Sequence, residues 1–278
     1  MNARPPLDLS QAPRWAQPWR PWLSPLPERS VLLCAGLGGL AQDLLPEAHP
    51  RAEQVASAAA GLALLTKLDD QQIDRLDLLP GRRVFEARPA EVRAAAERIL
   101  APSLADLLSG EGQTFAGALG RSLRALADSE RLDQLHAFLQ AGWDLQARAL
   151  AVMTRPQGEA EPDAVWEATA EVGTTWLLGV ALPGWLPPEA GAFPDEDELR
   201  ALRAWGLAIQ AADALCDHPR DRADGLISTI ASVHRDHEQL AALRPARALL
   251  PRWPRLERRF ASVHELLIQR WRQRCSAC

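Results

Sequence analysis

Two groups of aspartates carry the chemistry in this sequence. The first closes an apolar, alanine-rich run, "GLALLTKLDDQQIDR", residues 61 to 75, which places Asp69, Asp70 and Asp74 together. On a helix Asp70 and Asp74 are i and i+4 and share a face, while Asp69 lies about 100° around the axis. The second group stands in "GLAIQAADALCDHPRDRADG", residues 206 to 225. Gln210, Asp213 and Asp217 fall there at i, i+3 and i+7 on one face. Asp221 follows Asp217 by four, but Pro219 ends the helix near His218, so Asp221 belongs to the next loop. Each group terminates an apolar helix at its C-terminal end, where the macrodipole disfavours negative charge. Like charges at i,i+4 add a few tenths of a kcal/mol of repulsion. The one cation at helical spacing is Lys67, three residues before Asp70. Divalent ions would supply the missing positive charge, and oxygen ligands without cysteine or histidine select Mg²⁺. Mg²⁺ held by few carboxylates keeps positions for phosphate oxygens, so two facing groups would clamp a diphosphate. The plain alternative is a pair of solvated helix ends. The repetition of one context in two places favours the clamp.

The elements that must hold these residues are helices. Apolar positions recur at three- and four-residue spacing, and no alternating run of β-branched residues reaches strand length. Short Pro/Gly breaks divide the chain into helices expected near 29–44, 51–76, 89–108, 113–128, 130–153, 163–182, 195–218, 223–242 and 255–274. Asp163 is placed to cap the helix that begins "AVWEATAEV", and "DEDE" after Pro194 puts negative charge at a helix start. Residues 1–28 read as a Pro/Trp-rich arm in which proline density opposes regular helix and Trp15, Trp19 and Trp22 pack on the body. Residues 29–278 read as one all-α domain, with the site between the helices of the bundle.

Composition narrows the partners. A net charge of −5 gives no reason to expect nucleic acid or an anionic membrane. Lys67 is the sole lysine and tyrosine is absent, a bias we read as genomic. No apolar stretch reaches the ~20 residues of a membrane span, and no signal sequence is recognisable, so the reading is cytoplasmic. Of the cysteines, only Cys275 and Cys278 have metal-like spacing, and they lack a second pair. His218, His234 and His237 read as inert, and Arg270, Arg272 and Arg274 as a solvated basic helix end.

The aspartate groups resemble those of the isoprenoid synthase superfamily, the trans-prenyl diphosphate synthases and class I terpene synthases. The second group is similar to the prenyl synthases' F-Q-x-x-D-D-x-x-D, with Ile209 for the Phe, Ala214 for the second Asp, and Gln210, Asp213, Asp217 and Asp221 in register. Asp213, Asp217 and Asp221 also resemble the i, i+4, i+8 metal triad of terpene synthases. The first group is similar to D-D-x-x-D or D-D-x-x-x-D. Arg29 stands where G-K-R-x-R-P would be, and Arg82 and Arg83 resemble the arginine pair after the first motif. "AEVGTTWLL", residues 170 to 178, is similar to the K-T segment, with Thr174 for the lysine. Gly173 resembles the helix break where terpene synthases present backbone groups to the cavity.

The resemblance implies a helical bundle with a central active-site cavity, two or three Mg²⁺ ions, and a prenyl diphosphate substrate. Ligands would be Asp69, Asp70, Asp74, Asp213, Asp217 and Asp221, with Asp70, Asp74, Asp213 and Asp217 the catalytic members. Arg29, Lys67, Arg82, Arg83, Gly173, Thr174 and Gln210 would bind substrate. Trp176 and Trp205 flank the second group and would offer ring faces to an allylic cation, each worth about 0.5–2 kcal/mol. Trp143 and Trp166 lie in the same central helices. A homodimer is the usual assembly of such synthases. The lysine and one arginine of the first basic motif and the lysine of the K-T segment are absent, with no arginine at Val31 or Thr174; such groups hold a second diphosphate, so their loss favours a cyclase acting on one. A prenyl diphosphate synthase using isopentenyl diphosphate is the alternative, and a non-catalytic partner subunit of a prenyl synthase is the third reading.

Overall fold

A computed structural model describes residues 14–23, 34, 38, 41, 45, 49–74, 89–153, 162–190, 195–197, 199–200, 202–203 and 206. Six α-helices are defined: α1 (Arg20–Leu23), α2 (Ala52–Asp74), α3 (Pro89–Ser109), α4 (Phe115–Leu126), α5 (Ser129–Met153) and α6 (Pro162–Ala181). Short 3₁₀ turns precede α1 at Arg14–Trp19 and follow α6 at Leu182–Trp185 and Pro188–Ala190. The described residues contain no strand, so the chain is all-α in the part described. The helices expected near 51–76, 89–108, 113–128, 130–153 and 163–182 appear with ends within two residues of those bounds. Those expected at 223–242 and 255–274 lie outside the described residues.

Two local expectations change. Residues 14–23 of the arm are helical, because Pro18 tolerates the tighter 3₁₀ turn and Pro21 occupies the first turn of α1, where no backbone donor is needed. α6 starts at Pro162 rather than after a capping Asp163. A proline in the first turn gives up only an orphan donor.

The chain forms two compact units. One comprises Met1–Asp70, Ser103–Ala137 and Gly179–Ala192; the other comprises Gln71–Pro102, Phe138–Leu178 and Phe193–Cys278.

In the first unit every residue of α2 from Val55 to Leu65 is buried. A helix covered on all sides is a central one, and its small residues let neighbours come close. Gly61 is the clearest case: a Cβ there would stand 2.7 Å from Leu119 Cδ1 and 3.1 Å from the Trp19 ring. Trp19 uses that space. It is 4% exposed, its indole N–H donates to the Ser57 carbonyl at 2.7 Å, and its ring meets Phe115 edge-on at 5.2 Å. Trp22 packs on the same Phe115 at 5.2 Å. The arm is therefore bound to α2 and α4 by its tryptophans.

α3 turns into α4 through Gly110 and Gly112, whose φ angles of 66° and 78° are left-handed and suit glycine. Arg121 Nη1 donates at 2.9 Å to the carbonyls of both glycines, and Arg124 donates to the Leu108 carbonyl. Thr114 caps α4: its hydroxyl donates to Asp106 at 2.7 Å and accepts from the Gly117 N–H at 3.0 Å. Gly117 and Gly120 let the turn lie directly on α4, since an added Cβ would strike the Glu111 and Leu107 carbonyls. Asp128 Oδ1 accepts from the Arg131 N–H at 2.9 Å at the start of α5.

The segment after α6 is fastened by two arginines. Arg131 Nη1 donates at 2.7 Å to the carbonyls of Trp185 and of Pro187. Arg51 reaches the Leu126 carbonyl at 3.3 Å and Glu189 at 3.5 Å. The first contacts are short and charge-assisted; the second ion pair is exposed and contributes little.

In the second unit Leu139, Trp143, Ala147, Ala170, Leu178 and Leu202 are buried. A Cβ on Gly142 of α5 would stand 3.1 Å from Thr175 Cγ2 of α6, which sets how closely those helices approach.

Gly120→Ala has no side chain to displace, only the backbone of Leu107 and Gly110. It should cost about 1–3 kcal/mol or more as overpacking and lower the melting temperature measured by circular dichroism, whereas Ala118→Gly on the same helix should cost about 1 kcal/mol or less. A second expectation concerns pH. Burial, and next the Arg124 charge, lower the His136 pKa below 6.5, against the pull of Asp133. The folded state therefore binds the proton less well than the unfolded chain, so this contribution to stability is complete above pH 6.5 and is lost as pH falls below it. Urea midpoints at pH 7.5 and 5.0 should differ less for His136→Gln than for the native chain.

Candidate functional site

The first aspartate group occupies the last turns of α2. Asp69 falls four residues after Leu65 and seven after Leu62, on the stripe that faces the core of the first unit. Its side chain is 2% exposed. A carboxylate at that depth costs several kcal/mol unless it is paired and hydrogen-bonded. Asp70 and Asp74 take the neighbouring register, four residues after Thr66 and seven after Lys67, where α2 passes from buried to half-buried. For these two the structure describes the backbone only.

Lys67 is half-buried, and its ammonium acts on the interior. The Cys34 thiol is buried, and burial pushes its pKa up to about 12 although the Lys67 charge works in the opposite direction. Thr66 donates back to the Leu62 carbonyl at 3.0 Å and so is tied to its own helix. The end of α2 thus holds one buried carboxylate, two further carboxylates at i and i+4, and one ammonium. The donors are oxygens, which suits Mg²⁺. Among the described residues no group of three or more acidic, histidine or cysteine side chains could hold a metal ion.

α6 alters one expectation. The helix runs unbroken through Gly173 from Pro162 to Ala181. Its flanking residues hold helix geometry, and the Thr174 hydroxyl donates to the Ala170 carbonyl at 2.7 Å, one turn back. The break that the sequence suggested at Gly173 does not occur, so the Gly173 backbone stays within a continuous helix. Thr174 and Thr175 are half-buried; of Trp176 only the backbone is described.

The remaining expected site residues, Arg29, Arg82, Arg83, Trp205, Gln210, Asp213, Asp217 and Asp221, lie outside the described residues. Lys67, Asp69, Asp70 and Asp74 all lie on α2. Asp69 is the residue whose depth the spacing argument understated. Its position on the Leu62–Leu65 stripe was the signal for it.

No protein-family model, curated protein or solved structure matches the chain. No helix among the described residues is long and apolar enough to cross a membrane.

Since the thiolate is the reactive form, the Cys34 thiol should resist alkylation. Iodoacetamide at pH 8 should leave the Cys34 peptide unmodified in the native protein and label it fully in urea, as read by peptide mass spectrometry. Rapid native labelling would contradict the burial of that side chain.

Proposed function

We propose that the chain is a Mg²⁺-dependent class I terpene synthase that ionises one allylic prenyl diphosphate. The observation that carries this reading is the pair of aspartate groups in the sequence, each at the end of an apolar run with helical spacing.

In this reading Asp69, Asp70 and Asp74 from α2, with Asp213, Asp217 and Asp221, hold two or three Mg²⁺ ions. When bound, the ions supply positive charge to the leaving diphosphate and so lower the barrier to ionisation. The chain's own groups do the rest. Lys67, Arg29, Arg82 and Arg83 neutralise and orient the diphosphate, and Gln210 and Thr174 offer neutral hydrogen bonds to it. Trp176 and Trp205 present ring faces to the hydrocarbon cation. Apolar walls keep water away from it, which sets whether a hydrocarbon or an alcohol leaves.

The register of Gln210 with Asp213 and Asp217 favours a second reading, chain elongation with isopentenyl diphosphate. The missing basic groups at Val31 and Thr174 weigh against it, because condensation needs both diphosphates held. Incubation with Mg²⁺ and geranyl, farnesyl or geranylgeranyl diphosphate, with and without isopentenyl diphosphate, separates them. A terpene from the allylic substrate alone is the expected result. Product formed only with both substrates would establish the elongating enzyme, and no turnover at all would leave a non-catalytic partner subunit.

Asp70→Ala and Asp213→Ala should each abolish turnover while the far-ultraviolet circular dichroism spectrum keeps its helical form. Native rates in either variant would overturn the metal-site assignment.

A further inference from the structure

We draw no further inference here: the strongest candidate, the acidic end of α2 where half-buried Lys67 adjoins buried Asp69, belongs to the site already proposed, and no second feature among the described residues points to a separate ligand there.

Discussion

Burial of α2 on every side is the constraint from which the first unit is built. A helix that touches solvent along one face leaves that face free of packing; one that is covered from Val55 to Leu65 must fit neighbours on every face. Alanines, Ser57 and Gly61 keep it narrow, so that Leu119 and the Trp19 ring come within contact of the Gly61 backbone. Close approach replaces side-chain bulk as the source of packing density. The same device recurs at Gly117 and Gly120, where the turn before α4 rests on the helix itself.

Narrow helices leave backbone carbonyls at their ends to be satisfied, and arginine serves that need throughout the first unit. Arg121 and Arg124 close the α3–α4 turn, Arg51 reaches the end of α4, and Arg131 holds the segment after α6. A planar guanidinium can serve two carbonyls at once, as Arg131 and Arg121 both do. The arginine-rich composition thus has a structural use. Lysine, with a compact point charge, occurs once, and it occurs on α2 beside the aspartates.

The positions of α2 to α6 could be read from the sequence because Pro/Gly breaks separate long runs with helical apolar spacing. Finer features needed tertiary knowledge. Whether Pro162 or Asp163 begins α6 depends on which residue gives up the orphan donor, and both choices satisfy the same pattern. The helicity of the arm depends on Trp19 finding its place over Gly61, a contact 42 residues away in the chain that no local rule supplies. Gly173 shows the opposite error: a resemblance suggested a break, while the helix runs on through it and the Thr174 hydroxyl is bonded to the Ala170 carbonyl one turn back. Spacing told which aspartates share a face. It did not tell how deep they sit, and Asp69 is buried.

The central claim is that the α2 aspartates take part in a Mg²⁺-dependent diphosphate site. Calorimetric titration of the full chain with inorganic diphosphate, with and without Mg²⁺, tests it without assuming a substrate chain length. The account predicts saturable binding that requires Mg²⁺ and is lost when Asp70 is changed to alanine. Binding that is equally tight without Mg²⁺, or none in its presence, would contradict it.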